Sequence, residues 1–236
     1  MHAAERGGPF DRIAAVWRER HAAVRPRRVE SSPLGGLRVL RRGVALAAAL
    51  LALAGTASLG GSAFIYGKAA AGQWLLQRAW AATLATHAPM PPWPWADTHP
   101  IARLVVPAQK VDLLVLAGAS GRTLAWGPGH LDGSAEPGDD GNSVLSAHRD
   151  THFRFLEHTR LGDTIVVERG DGSARTFRVR SARVVDVRAL AISRDADLPT
   201  LTLVTCYPFD AVVPGGPLRY VVTAVAAEDR NRDGLM

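Results

Sequence analysis

The sequence predicts an all-β domain, an eight-stranded closed or nearly closed barrel, held behind a single N-terminal membrane-spanning helix. Three observations carry that reading. Twenty-five consecutive residues, 43–67, carry no charge. From Ile101 onward the chain breaks into short β-type runs separated by Gly, Pro and Asp. Those runs number eight in about 125 residues with little helix between them, the pattern of a barrel.

Residues 1–42 read as a basic cytoplasmic tail. They hold ten arginines against four acids, whereas the rest of the chain is balanced, so the whole formal charge of +6 lies in front of the apolar run. Charge so placed belongs to membrane topology; a nucleic-acid partner is excluded, since no basic surface remains in the folded part. A short helix is expected around Ile13–Trp17, and Arg25, Arg27 and Arg28 could touch anionic lipid.

Residues 43–67 read as the transmembrane helix. At ~1.5 Å per residue such a helix is roughly 37 Å long, enough for a ~30 Å hydrocarbon core with some tilt. Arg38, Arg41 and Arg42 precede it and Lys68 follows, so the positive-inside bias puts the N-terminus in the cytoplasm and the remainder outside. A cleaved signal peptide is the competing reading, on the small residues Gly61-Ser62-Ala63. The basic leader and the apolar run are both long for that, and an uncleaved anchor contacting membrane lipid is favoured.

Residues 68–100 read as a juxtamembrane helix followed by a linker. The run 68–87 favours helix, with Trp74, Leu75, Trp80 and Leu84 available for one apolar face. Ala88-Pro89-Met90-Pro91-Pro92-Trp93-Pro94-Trp95 cannot be helical and predicts a stiff, extended spacer whose tryptophans pack on the domain or the membrane surface.

Residues 101–228 are expected to form the β domain and 229–236 a C-terminal tail. The expected strands are Ile101–Val106, Val111–Leu116, Ser143–Ala147, Thr164–Glu168, Thr176–Arg180, Val184–Val187, Thr200–Thr205 and Tyr220–Val225. Gly170-Asp171-Gly172-Ser173 predicts a hairpin turn, and His152–Arg160 a helical turn.

Cys206 is the only cysteine, so no intramolecular disulfide can form in an exported domain that would permit one. A free cysteine is either a small buried hydrophobe or a nucleophile. It ends the strand run Thr200–Thr205; His148 ends another, Ser143–Ala147; Arg219 opens a third, thirteen residues after Cys206. An attacking thiolate needs an imidazole to exchange its proton and a fixed donor for the developing oxyanion. The three residues together supply such an acyl-transfer set. Asp150 could orient the imidazole or cap a local turn.

Thr202-Leu203-Val204-Thr205-Cys206 fits the TLxTC signature, and with His148 and Arg219 the region from Ile101 to about Ala227 resembles the sortases, membrane-anchored cysteine transpeptidases. The runs His148–Phe153, Thr205–Asp210 and Trp93–Asp97 look like the sortase group of Gram-negative proteobacteria, the marine proteobacterial type. Ala147 stands where many relatives carry glycine, a small-for-small difference. The resemblance implies an eight-stranded sortase barrel and a two-step transfer needing no cofactor. Cys206 would attack the Thr–Gly carbonyl of an LPxTG-like C-terminal sorting signal on a secreted protein. His148 would protonate the leaving amine, and Arg219 would bind the oxyanion or position the signal, with Thr205 and Asp150 in support. The amine acceptor is unspecified, and localisation would be the bacterial inner membrane with a periplasmic domain.

Two other functions fit the same residues: a cysteine endopeptidase passing the acyl group to water, and a tethered, non-catalytic binding barrel with Cys206 buried. Metal binding is not expected. His148 and His152 have H-x3-H spacing, but His148 ends a strand, and one cysteine without CxxC argues against zinc. Glu136, Asp139 and Asp140 resemble a calcium-binding loop of some sortases, yet the glycines and Pro137 around them read as an ordinary solvated turn.

Overall fold

The computed structural model describes residues 33–193, 196–213 and 215–227. Most of the basic tail with its short-helix expectation, Pro214 and the C-terminal tail lie outside the described residues. The chain divides into two compact units, Met1–Gly60 and Gly61–Met236. In the first, every described residue belongs to a helix, α1, which runs Pro33–Thr86 and so continues into the second unit. It begins ten residues before the expected span and does not stop at Gly67. Proline is at home at its start, where the N–H it lacks would be unpaired anyway, and neither Lys68 nor Arg78 is a helix breaker. The helix contains a stretch long and apolar enough to cross a membrane, with a mean hydropathy of 1.8.

In the second unit the rest of α1 buries a narrow stripe, Gly72, Leu76, Ala79, Trp80 and Thr83, at three- and four-residue spacing. Leu76 and Trp80 pack on Leu114 and Leu116 of the barrel. Trp74, expected on that face, is 61% exposed and instead lies under the Arg78 guanidinium, 5.7 Å from ring centre. The proline-rich segment is not an extended spacer. It turns on an Ala96 N–H donating to the Trp93 carbonyl at 3.0 Å, and Trp93 meets Trp126 edge-on at 5.3 Å.

The remainder is the predicted closed barrel: β1 Pro100–Val106, β2 Val111–Leu116, β3 Gly129–His130, β4 Asn142–Ser146, β5 Thr164–Arg169, β6 Ala174–Asp186, β7 Thr200–Cys206 and β8 Leu218–Ala226. A one-turn helix, α2 Gly121–Leu124, lies between β2 and β3, and residues 154–158 make a 3-10 turn within the predicted helical turn. Around the barrel the strand order is β1-β2-β3-β4-β7-β8-β6-β5, antiparallel except for β2/β3 and β4/β7. Phe153, Leu156, Phe177, Leu203 and Val222 fill its core with no exposure.

Two expected strands merge. Thr176–Arg180 and all of Val184–Val187 but its last residue belong to the single 13-residue β6, whose register against β8 shifts between Val179 and Ser181. A bulge there switches the apolar alternation without ending the strand. The eighth strand is the two-residue β3, too short to show a period. The Gly170–Ser173 turn closes the β5–β6 hairpin as expected, with the Gly172 N–H donating to the Arg169 carbonyl at 3.0 Å.

The acidic loop before β4 is spent on arginines. Asp139 lies 2.6 Å from Arg169 and Asp140 3.0 Å from Arg175. Among the described residues no group of three His, Cys, Asp or Glu is arranged to hold a metal ion.

Candidate active site

β7 sits at the centre of the site because it pairs on both sides, parallel to β4 and antiparallel to β8. Successive side chains of a strand point to opposite faces. Leu201 and Leu203 turn inward to the barrel core, while Val204 turns outward. There Val204 meets Val144 of β4 and Val221 of β8, and the three are covered by Val185, Leu190 and Ile192. This outer row therefore lies beneath the β6–β7 connection.

Two residues further along the same face, the cover ends. Cys206 follows Val204 by two, Arg219 precedes Val221 by two, and Cys206 and Arg219 are direct partners across the ladder. Such Cα atoms are about 4.5–5.5 Å apart. On the other side Ser146, the last residue of β4, is the partner of Val204, and the Ala147 N–H still donates to the Val204 carbonyl at 3.3 Å, so His148 follows two residues past the strand at the end of the barrel where Cys206 lies. Ala147 points into the core and His148 is exposed. The structure thus brings Cys206, His148 and Arg219 to one barrel end and one face. Cys206 is partly exposed, so its sulfur is not sealed in the interior. Among the described residues neither its thiol nor the His148 imidazole makes a hydrogen bond. The Arg219 guanidinium donates to the carbonyls of Gly216 and Leu218, each at 2.9 Å.

Thr205 ties these strands together. Its buried hydroxyl donates to the Ala147 carbonyl at 2.7 Å, immediately before His148. Asp150 is exposed in the following turn and makes no hydrogen bond to His148 among the described residues. That turn closes with the Phe153 N–H donating to the His148 carbonyl at 3.0 Å. His152 is held below the ordinary imidazole pKa, first by burial and then by the nearby His148 charge, and its Nδ1 is buried without a partner.

On the inner side of the same barrel end a cleft of about 360 Å³ is lined by Tyr207, Pro208, Phe209, Tyr220, Glu157 and Asp210. Tyr207 stacks on Tyr220 with centroids 6.2 Å apart, and Phe209 meets Tyr220 edge-on at 5.3 Å, so the residues after Cys206 and Arg219 brace each other.

Two further residues shape the site without a sequence signal of their own. Asn142, 6% exposed, donates through Nδ2 to the Ser193 carbonyl at 2.7 Å and accepts at Oδ1 from the buried Thr202 hydroxyl at 2.9 Å. The pair pins the β6–β7 connection to the sheet. Arg149, 8% exposed, donates through Nη2 to the carbonyls of Ala211 and Val213 in the β7–β8 connection, at 3.0 and 3.1 Å.

The arrangement can perform nucleophilic acyl transfer: an accessible thiol on a rigid strand, an imidazole at the same barrel end, and a guanidinium directly across the ladder. Comparison with known proteins points the same way. Residues 104–227 match the family model described as Sortase domain. Sortase D of Bacillus subtilis (strain 168) is 32% identical over 120 residues, which cover 50% of this chain and 60% of that protein, so the chain spans about three fifths of that relative's length. Among solved structures, the Clostridium perfringens Sortase D5 transpeptidase is similar with a TM-score of 0.54 at 19% identity, covering 67% of this chain and 99% of that one; this likeness is one of fold. Sortase A from Corynebacterium diphtheriae is 30% identical with a TM-score of 0.49, covering 60% and 67% of the two chains.

Proposed function

The chain belongs to the sortase family, and from that premise we propose that it is a membrane-anchored cysteine transpeptidase acting on a secreted protein with an LPxTG-like C-terminal sorting signal. The observation that carries the reading is the direct cross-strand pairing of Cys206 with Arg219, with His148 two residues past the end of the neighbouring strand β4.

In this reading the Cys206 thiolate attacks the Thr–Gly carbonyl carbon, and Arg219 leaves the Gly216 and Leu218 carbonyls to donate to the oxyanion. Collapse breaks the C–N bond; His148 gives its proton to the leaving amine, and a thioester joins the signal to Sγ. An incoming amine gives up a proton to His148 as it attacks that thioester, a new amide forms, and the thiolate is released. The long apolar helix and the arginines before it support an uncleaved inner-membrane anchor with the N-terminus in the cytoplasm and the barrel in the periplasm. The runs around His148 and Cys206 support membership of the marine proteobacterial group.

The test is incubation of the full chain in detergent with an LPxTG-type peptide, with and without an added amine. An amine-dependent ligated product is expected; free acid alone would make the protein an endopeptidase. Cys206→Ala should abolish turnover, and His148→Ala should cost about 10²–10⁴-fold. Arg219→Lys should cost ~10-fold or more, because an ammonium does not reproduce the guanidinium fork. A thiol that resists alkylation until the protein is denatured, with no cleavage of any signal peptide, would leave only a binding barrel.

A further inference from the structure

Arg149 is the residue immediately after His148, and its position is unusual for an arginine. It is 8% exposed, and it forms no ion pair among the described residues. Its two hydrogen bonds both leave from Nη2, to the Ala211 and Val213 carbonyls, while Nη1 is buried and unpartnered. A buried cation with no carboxylate and one empty edge loses more to desolvation than two neutral carbonyls return. Such a side chain is a poor stabiliser of the fold.

Its location gives it another use. The β4–β7 ladder ends at Ser146/Val204, with one last bond from the Ala147 N–H to the Val204 carbonyl at 3.3 Å. Past that point no backbone hydrogen bond of the ladder holds His148 beside Cys206. The imidazole is instead bracketed by its neighbours: Ala147 accepts from Thr205, the residue before Cys206, and Arg149 holds the connection that follows Cys206, 62 and 64 residues away in sequence. We infer that Arg149 is a positioning residue for the transfer reaction, fixing His148 and the β7–β8 connection relative to each other rather than stabilising the barrel. The inference rests on the reading of Cys206 and His148 as the reacting pair.

The two roles separate on substitution. Methionine fills a similar volume without charge, so Arg149→Met should melt at or above the temperature of the wild type, as buried ions replaced by apolar groups commonly do. Its peptide cleavage should nevertheless fall ~10–100-fold in kcat, the scale of a displacement near 1 Å at the reacting groups, with KM changed by less than about threefold. Because both bonds leave from one nitrogen, a lysine ammonium can serve both carbonyls, and Arg149→Lys should recover most of the loss. All three proteins are measured as full chains in detergent, with Cys206→Ala as the blank. Arg149→Met as active as an active wild type, or Arg149→Met inactive only in proportion to a lowered melting temperature, would overturn the inference and leave the sortase reading standing. A wild type that cleaves no signal peptide would remove the reading, and the inference with it.

Discussion

Asn142→Ala tests whether the β6–β7 connection is pinned as the structure indicates. The substitution removes two bonds at once, Nδ2 to the Ser193 carbonyl and the Thr202 hydroxyl to Oδ1, at 2.7 and 2.9 Å. Thr202 is 3% exposed, so its hydroxyl is left without an acceptor where water does not reach. Losing two such bonds and orphaning one buried hydroxyl amounts to roughly 2–4 kcal/mol. Thr202→Val in the wild type orphans only Oδ1 and leaves the Ser193 bond in place, so it should cost less, about 1–2 kcal/mol. In the Asn142→Ala background the same Thr202→Val removes an orphan and should cost nothing or stabilise. The cycle therefore predicts a coupling of about 1–3 kcal/mol, read from urea unfolding of the four proteins followed by tryptophan fluorescence. Only Asn142→Ala removes the bond to the Ser193 carbonyl, so it alone should raise the KM for a signal peptide. Losses that add to within ~0.5 kcal/mol would show that the two side chains do not act as a unit, and the pin would be refuted.

Two further outcomes follow from local geometry. A Cβ on Gly72 would run into the Trp126 ring, which Gln73 and Trp93 hold in place, whereas one on Gly67 meets nothing within 4 Å. Gly72→Ala should destabilise the second unit by about 1–3 kcal/mol despite its better helix propensity, while Gly67→Ala should not, and thermal melts of the two variants decide it. His152 has a folded pKa below its unfolded value, so the unfolded chain binds more protons as pH falls below ~6.5. Stability should be insensitive to His152 above that pH and should decline on acidification; His152→Gln should flatten the decline in denaturant titrations at pH 7.5 and 5.5, leaving the contribution of His99, whose pKa burial also lowers.

The sequence announced those parts of the fold whose physics is local. Thr200–Cys206 reads as a strand because it is a run of β-branched and aliphatic residues, and Gly170–Ser173 reads as a turn because it offers the conformations a hairpin needs. Where the register of one strand depends on another, the pattern misled. The bulge after Val179 looks like two strands, and Gly129–His130 looks like none, since its partners are supplied by β2 and β4. Trp74 looked like a core residue by size, but the stripe that meets the barrel is fixed by Leu76 and Trp80. The positions of Cys206, His148 and Arg219 at strand ends were legible. Arg149 and Asn142 were not, because an arginine in a polar run and an asparagine after a glycine look like surface and turn until the distant carbonyls they bind are known.

Strand alternation explains why the site lies at the barrel end and not along it. His148, Cys206 and Arg219 continue a face whose earlier members, Val204 on β7, Val221 on β8 and, one step before Ser146, Val144 on β4, are buried under Leu190 and Ile192. A thiol at position 204 would share the rigidity of β7 and the same neighbouring strands, but it would be 8% exposed and closed to a peptide. Two residues further the backbone is still held, because Cys206 remains paired with Arg219 and Thr205 remains bonded to Ala147, while the cover has ended. Reactivity toward a peptide requires both conditions, and along this face position 206 is the first that meets them. The valine row sets the floor, the last ladder pair sets the distance, and the side-chain bonds beyond the ladder take over where backbone pairing stops.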